Sequence, residues 1–445
     1  MRRLLAEAYR LAWPAVLQGL LLTLAFQVDR LLLGQYSADA LASMQVSGPL
    51  LWSMVSVATA ASAGTVAVVG RAYGAGDEER ARLSTEAILA FALGVGVIAG
   101  GVVFLARVPI TELLAGAGTG LPVRDAAVTY LSIVAPAAPL AFAGVLAVTA
   151  LQASGDTRTP MIVSALAQTV NLGGDALLIF GLGGCPELGV QGAAIASAAA
   201  FLMQALVLLY ILRRRRRGAR LGGLRLGPEH WQTLRAILRP SKAAYVEKII
   251  FHVGFLGFVA LISRLGDVAM AANQALIAIE SLGFITADGF GIAAGTLIAS
   301  NLGRGDPERA SQAGYVALGL AVVTLLAVSL LFVLLPEPLM SLFADEREII
   351  SLGARCLLVA AVAQPLMAAA AVYSSALRGA GDTATPMRVA LVGPVFVRIT
   401  ATWLLAFHLG WGLVGVWVAT TLDWTLRTVW LGLAYARGRW KSLEV

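Results

Sequence analysis

A polar phrase that occurs twice indicates the architecture of this chain. ALQASGDTRTPM, residues 150–161, returns 226 positions later as ALRGAGDTATPM, residues 376–387. Each copy separates two long apolar runs. Its glycine permits a bend, its aspartate and threonines can cap the next helix, and its proline suits the first helical turn. The phrase therefore predicts a structural turn copied by duplication, and its aspartates, Asp156 and Asp382, are not predicted to be catalytic.

Two more phrases repeat in the same order. GAGDEERA at 74–81 pairs with GRGDPERA at 303–310, and LGVQGAAIAS at 188–197 pairs with WGLVGVWVAT at 411–420. The offsets of the three pairs are 229, 226 and 223 in chain order, so the register drifts only by short gaps. The sequence therefore predicts two halves with the same internal order of elements.

The composition places the chain in a membrane. Hydrophobic residues make up 58% of it, charged residues only 13%, and the mean hydropathy is +0.81, too apolar for a soluble surface. A helix needs about 20 apolar residues to cross the hydrocarbon core. We predict an all-α integral membrane fold with twelve transmembrane helices, at residues 9–33, 40–70, 83–106, 126–153, 160–181, 188–212, 243–264, 268–301, 312–335, 349–377, 387–408 and 413–436.

The polar segment at 213–242 divides these spans into two groups of six. We predict an N-lobe at 1–212, a cytoplasmic basic linker at 213–242 and a C-lobe at 243–445. An even number of spans in each half makes the repeats parallel, a plan found in transporters. The linker sequence RRRRRGARLGGLRLGPEHWQTLR predicts a topology anchor that contacts anionic lipid, in preference to a nucleic-acid site.

The basic residues are distributed unevenly across the predicted loops. With the N-terminus inside, 24 of the 33 Lys and Arg fall on the cytoplasmic side. Because basic residues are retained there during insertion, both termini are predicted to be cytoplasmic in a plasma (inner) membrane. Cys185 and Cys356 fall near the outer side, where a disulfide is geometrically possible, but two free thiols are favoured.

Polar side chains inside the first-half spans suggest a proton or cation site. A carboxylate in a membrane span costs several kcal/mol unless it is protonated or paired, so each is a functional candidate. Asp29 lies on span one, and Asn171 and Asp175 lie one turn apart on span five. Tyr130, at similar depth on span four, can hydrogen-bond to them. In the alternative interpretation, Asp29 pairs with Arg30 at the outer surface and Asp175 is a structural hydrogen-bonding residue.

The second half places its acidic residues differently. Glu247 on span seven occupies the repeat position of Gln18. Span eight carries Glu280 and Asp288 about two turns apart, a spacing that favours an acidic lining for a cationic solute. In the alternative, Lys248 neutralises a carboxylate of a neighbouring helix. The substrate candidates in this half are Glu247, Gln274, Glu280 and Asp288.

Two charged positions near the end of the chain suggest structural roles. Asp423 and Arg427 on span twelve are four residues apart and predict an intrahelical salt bridge. Arg398 on span eleven has no partner nearby in sequence. Two roles remain open for its side chain: it neutralises a carboxylate of another helix, or it extends to the membrane interface.

Motifs of enzymatic chemistry were not found. The sequence holds no Walker motif, dinucleotide fingerprint, HExxH or paired CxxC, and its three histidines, His230, His252 and His408, are scattered. We therefore predict no enzyme, no catalytic residue, no metal site and no cofactor other than H⁺ or Na⁺ as a coupling ion.

Several segments together resemble the multidrug and toxic compound extrusion (MATE) transporters, prokaryotic and nearer the DinF-like branch. The resemblance covers nearly all twelve spans. It is carried by LAWPAVLQGLLLTLAFQVDRLLLGQ, NLGGDALLIFGLGGCPELGVQGAAIAS, ANQALIAIESLGFITADGFGIAAGTLIASNLGRGD, LDWTLRTVWLGLAYARGRW and the two copies of the repeated phrase.

The resemblance implies an antiporter with two six-helix lobes around a central cleft, which exports amphipathic, often cationic compounds in exchange for H⁺ or Na⁺. By similarity, Asp29, Asn171 and Asp175 form an N-lobe cation site, with Ser197 at its hydroxyl position. Glu247 falls where another branch uses a span-seven acid. Span ten, LVAAVAQPLMAAAAVYSSAL, lacks the carboxylate of that branch, which favours coupling through the N-lobe.

The partners implied are small drug-like molecules and membrane lipid, without nucleic acid, for a monomeric protein. A flippase for lipid-linked saccharides, with the same lobe architecture, is the alternative function. It would call for a larger cationic cavity.

Overall fold

The chain is helical throughout its described part. The computed structural model describes residues 2–115, 119–223 and 227–443, apart from the side chain at 57. Residues 224–226 of the predicted linker therefore lie outside the described residues. Within the described ranges no strand occurs, which confirms the predicted all-α class.

The helices form two compact units whose limits differ from the predicted lobes. We call residues Leu17–Leu238 the N-unit, and Met1–Val16 together with Arg239–Val445 the C-unit. The first turns of the chain belong to the C-unit because Leu4 and Ala8 pack in the same apolar core as Ala293. A helix of 35 residues is about 52 Å long, well beyond the bilayer core, so its two ends can serve different units.

The N-unit contains the first half of the spans. The long helix α1 (Arg2–Tyr36) enters it at residue 17. Its other helices are α2 (Ala38–Ala60), α3 (Ser62–Ala75), α4 (Glu78–Leu105), α5 (Arg107–Ala115), α6 (Leu121–Val134), α7 (Ala138–Ala153), α8 (Arg158–Ile179) and α9 (Val190–Arg214). Spans two and four are each built from two consecutive helices, α2 with α3 and α6 with α7.

The C-unit repeats this order with one irregular helix. Its elements are α10 (Pro228–Ile262, from residue 239), α11 (Asp267–Gly303), α12 (Pro307–Leu334), α13 (Pro336–Met340), α14 (Arg347–Gly379), α15 (Ala384–Leu391), α16 (Arg398–Thr402) and α17 (Gly412–Ala436). Two π-helical stretches, Val392–Val397 and Trp403–His408, flank α16 inside predicted span eleven. Such π stretches often mark functional positions.

Length and composition agree with the predicted spans. Within the described ranges, eleven helical segments are long and apolar enough to cross a membrane. The twelfth predicted span is the 25-residue helix α17, whose hydropathy is lowered by Asp423 and Arg427. The helix that contains predicted span seven, α10, begins at Pro228, so much of the predicted linker is helical. His230 and Ile237 on this early part of α10 are buried.

The repeated phrase forms the same turn in both halves. Gly155 and Gly381 have positive φ angles of 80° and 95°. Asp156 accepts hydrogen bonds from the Thr159 backbone N–H at 3.0 Å and hydroxyl at 2.8 Å. Asp382 accepts the equivalent bonds from Thr385 at 3.0 and 2.7 Å. The predicted capping turn is therefore confirmed in each half.

Removing these caps should destabilise the protein unequally. We expect Asp382→Ala to cost about 1 kcal/mol, as for other helix caps. Asp156→Ala should cost more because Asp156 also accepts Arg215 Nη2 at 3.1 Å. Thermal unfolding of the purified variants in one detergent measures both. Equal midpoints for the two variants would contradict the added role of Arg215.

Candidate functional site

The five predicted cation-site residues converge in the N-unit. They come from four helices: Asp29 from α1, Tyr130 from α6, Asn171 and Asp175 from α8, and Ser197 from α9. All five are buried, and Asp175 is completely inaccessible, at 0% exposed. A cluster of polar groups therefore lies inside a helix bundle that is otherwise apolar.

Hydrogen bonds link the cluster into one group. Asn171 Nδ2 donates to Asp175 Oδ2 at 3.0 Å, one helical turn apart as the sequence predicts. Tyr130 Oη donates to Ser197 Oγ at 3.4 Å. The carboxyl groups of Asp29 and Asp175 are close enough to interact, and Tyr130 lies within electrostatic range of both.

The contact between the two carboxyl groups determines what this cluster can do. A hydrogen bond between two carboxyl groups needs one proton, because ionised carboxylates only accept. Asp29 Oδ1 and Asp175 Oδ1 are both buried and have no hydrogen-bond donor. Two adjacent ionised carboxylates are disfavoured in such surroundings. Close approach of the two carboxyl groups is therefore favourable only when they share at least one proton or small cation.

Close packing of α8 on α9 brings the two sides of the cluster together. A Cβ atom at Gly174 would lie 2.8 Å from Ala196 Cβ, and one at Gly192 would lie 2.5 Å from the Leu178 carbonyl oxygen. Both glycines are required by this approach. Gly173 has open space beside it and does not contribute.

The alternative pairing of Asp29 with its neighbour Arg30 is wrong. Within the described residues no ion pair joins them, and the Arg30 guanidinium lies 4.8 Å from the centre of the Phe26 ring. Adjacent residues on a helix point in different directions, so Asp29 faces α8 while Arg30 does not.

A second polar cluster lies on the same faces of α1 and α8. Gln18 and Ser164 each precede the carboxyl residue of their own helix by eleven positions, or three turns and about 16 Å. Gln18 Nε2 donates to Ser164 Oγ at 2.8 Å. Gln204 Nε2 donates to the same oxygen at 2.8 Å, and Gln152 Nε2 donates to Gln18 Oε1 at 3.1 Å. This neutral network fixes the register in which Asp29 meets Asp175.

Loss of the Gln18 amide should disturb the carboxyl pair indirectly. We expect Gln18→Leu to shift the pH midpoint of ion-driven efflux while the protein still inserts, because α1 loses its hydrogen bond to Ser164. Efflux measured across a pH series tests this. Gln168→Leu is the matched control on α8, since Gln168 makes no side-chain hydrogen bond within the described residues. Identical profiles for the two variants would contradict the positioning role.

The C-unit uses a charged link at the matching repeat positions. Glu247 on α10 forms an ion pair with Arg378 on α14. These residues stand where the N-unit has Gln18 and Gln152, which are also bonded to each other. Glu247 is therefore neutralised, and the same helix-to-helix connection has become ionic in one half of the duplication.

The span-eight candidates have separate surroundings. Glu280 lies within electrostatic range of Arg398, and its Oε1 is buried without a donor. Asp288 is exposed and instead has Lys248 and Arg378 as basic neighbours. Gln274 is exposed. These three side chains do not form one acidic surface, because each lies beside different groups.

The structure supplies the partner of Arg398 that the sequence could not identify. Arg398 Nη2 lies 2.8 Å from Asp423 Oδ2, and Arg427 Nε lies 2.7 Å from Asp423 Oδ1, which confirms the predicted intrahelical pair. Asp423 is fully buried. A Cβ at Gly393 would lie 2.3 Å from Asp423 Oδ1, so the glycine in the π-helical stretch makes room for this triad.

A family model for MatE matches residues 14–177 and 243–404, which is most of both halves. The chain belongs to the MatE family. Among curated proteins this MATE chain is 29% identical over 444 residues to a probable multidrug resistance protein NorM of Thermotoga maritima, covering 99% of the chain and 94% of the relative. It is also 30% identical over 339 residues to an FAD transporter of Shewanella oneidensis, covering 75% and 73%.

Solved MATE structures share the fold. The chain superimposes on a mutant of the Vibrio cholerae MATE transporter VcmN with a TM-score of 0.90, 19% sequence identity, and coverage of 98% of this chain and 97% of that one. The two repeated helix bundles predicted from the sequence are thus those of MATE transporters. This MATE chain is a membrane transporter and not an enzyme, as predicted. Its placement near the DinF-like branch stays a prediction.

Proposed function

We propose that this MATE protein exports amphipathic, cationic compounds in exchange for H⁺ or Na⁺, with the Asp29–Asp175 pair as the coupling site. The observation that carries the proposal is the buried contact between two carboxyl groups, each with one oxygen that lacks a donor. The name of the Thermotoga relative, a probable multidrug resistance protein, supports drugs as the transported class.

Coupling follows from competition between two charge states of the pair. When one proton or small cation is bound, the pair carries one negative charge instead of two and α1 is held against α8. When the cation leaves, two anionic carboxylates repel each other and the site favours a cationic drug. Transport requires that the ion and the drug prefer different conformations. Asn171 supports this exchange by donating to one oxygen of Asp175 in either state.

The C-unit does not share this role in our proposal. Its buried carboxylate Asp423 is neutralised by two arginines, and Glu247 is neutralised by Arg378. The stretch of α14 from residue 358 to 377 carries Gln364 and no carboxylate. A fixed internal positive charge takes the place of a coupling cation in this half. Ion binding in the N-unit alone is then sufficient.

The protein would work as a monomer in the plasma membrane with both termini in the cytoplasm, in contact with membrane lipid. The uneven distribution of Lys and Arg supports this orientation. The flippase alternative is not favoured, because the curated relatives are named as multidrug resistance proteins.

Proteoliposomes separate the two possible coupling ions. A pH gradient alone and a sodium gradient alone are imposed in separate experiments. We expect one of the two to drive export of a fluorescent cationic dye. The gradient that drives export identifies the ion. Failure of both gradients, with lipid-linked saccharide flipped by the same vesicles, would overturn the proposal in favour of the flippase.

A further inference from the structure

The segment between α9 and α10 carries a run of arginines with two distinct faces. Arg215 pairs with Asp156 at 3.1 Å, on the face toward the helix bundle. Four other arginines are exposed and have no carboxylate partner within the described ranges: Arg213, Arg214, Arg216 and Arg217. Five consecutive residues thus present four positive charges that the protein itself leaves uncompensated.

Two carboxylates of α4 hold the backbone of this segment in place. Glu86, fully buried, accepts the backbone N–H groups of Gly222 at 2.7 Å and Gly223 at 3.1 Å. Glu78 accepts the backbone N–H of Gly218 at 2.9 Å. Gly218 has a φ of 72°, and a Cβ there would lie 3.1 Å from Ser154, so the chain turns closely against the bundle.

The start of α10 is joined to the same anchor. His230 Nε2 lies 2.9 Å from Glu86 Oε2. His230 Nδ1 accepts the Gly227 backbone N–H at 3.1 Å, so the ring proton is on Nε2 and is donated to Glu86. No local sequence pattern predicted this connection, because Glu86 and His230 are 144 residues apart. The arginine segment is therefore fixed at both ends.

The exposed arginines continue an apolar face of α9. Leu202, Leu206 and Tyr210 follow one another at intervals of four residues and are exposed, with Tyr210 at 59%. Arg214 is next on this face, and its guanidinium lies 5.4 Å from the centre of the Tyr210 ring. An apolar face that ends in an aromatic residue and then a cation is typical of a helix leaving the hydrocarbon core.

A second aromatic–arginine pair lies on the other side of the segment. Trp231 is 54% exposed, and the Arg235 guanidinium lies 5.1 Å from the centre of its ring. Exposed tryptophan and tyrosine prefer the headgroup level of a bilayer. Tyr210, before the arginine segment, and Trp231, after it, are thus both suited to the headgroup level.

We propose that residues 213–223 form a fixed cationic platform that binds the phosphate groups of acidic phospholipids. The four arginines supply the charge, Glu86 and Glu78 supply the rigid support, and Tyr210 and Trp231 set the depth. The continuous apolar face of α9 selects lipid over a soluble polyanion, since the arginines lie at the end of a surface that acyl chains cover. This site is independent of the transported compound.

Native mass spectrometry of the full-length protein in detergent tests the platform. The probe is phosphatidylglycerol, compared with phosphatidylcholine. Each basic residue near an anionic lipid contributes roughly fivefold in affinity. We expect the combined change of Arg213, Arg214, Arg216 and Arg217 to Gln to weaken phosphatidylglycerol binding by about 600-fold. The matched control changes four exposed arginines of the C-unit to Gln, at Arg304, Arg388, Arg437 and Arg439, and should retain it.

A second variant tests whether the support is needed. Glu86→Gln keeps every arginine but weakens the bonds to Gly222, Gly223 and His230, and should reduce the preference for phosphatidylglycerol about tenfold. An unchanged preference in this variant would overturn the fixed platform. Equal losses in the four-arginine variant and its control, or tighter binding of an RNA oligonucleotide than of phosphatidylglycerol by the wild type, would overturn the lipid site.

Discussion

We expect Asp175→Asn to abolish ion-driven efflux while leaving the protein folded in the membrane. The asparagine retains the shape of Asp175 and can still accept the hydrogen bond from Asn171. It can also donate to Asp29, so the contact between α1 and α8 survives. It cannot change charge, and exchange of an ion for a drug requires that change. The measured efflux should fall to that of empty liposomes.

Matched variants distinguish loss of coupling from loss of structure. Asp267→Asn makes the same chemical change at an exposed aspartate that begins α11, and should transport normally. Asp29→Asn should fail as Asp175→Asn does, because either change leaves one carboxyl group without its partner. Binding of the dye to detergent-solubilised protein should persist in both. Wild-type efflux by Asp175→Asn under the driving gradient would remove the pair from the coupling mechanism.

Asp423→Asn should be the most destabilising single change in the C-unit. It leaves the partly buried Arg398 and Arg427 without the carboxylate that they share. Removing one partner of a buried ion pair costs about 3–5 kcal/mol, because the remaining charge stays desolvated. Arg398→Gln should cost less, since Asp423 keeps Arg427 at 2.7 Å.

Thermal denaturation in detergent measures this order. Asp288→Asn is the control, since it removes a carboxylate that is exposed on α11. We expect the midpoint to fall most for Asp423→Asn, less for Arg398→Gln and least for Asp288→Asn. A midpoint for Asp423→Asn equal to that of the control would show that the triad does not stabilise the C-unit.

Local sequence patterns predicted several features of the candidate site correctly. The four-residue spacing of Asn171 and Asp175 predicted their hydrogen bond, and the same spacing predicted the Asp423–Arg427 pair. Both follow from helix geometry, which places residues four apart on one face. The resemblance to the MATE family added Ser197, which the structure places beside Tyr130. The functional role of this cluster stays a prediction.

Contacts between distant residues could not be predicted in the same way. Arg398 pairs with Asp423 on another helix, and Glu86 bonds to a histidine 144 residues away. Glu86 has a partner nearby in sequence, Arg82 four residues earlier on α4, but no local pattern indicated that it would also bond to His230. The choice depends on which helix faces meet, and packing determines those faces.

The sequence by itself determined the membrane environment, the duplication, the repeated capping turns and the helical spans, because hydropathy and turn chemistry act over a few neighbouring residues. Only the tertiary structure decided that Asp29 meets Asp175 instead of Arg30. It also decided that arginines neutralise Glu247 and Asp423 in the C-unit, and that the start of α1 packs with the C-unit. These outcomes depend on helix rotation and close approach. A shift of one residue in the register of a helix turns its side chains by about 100°, toward a different neighbour.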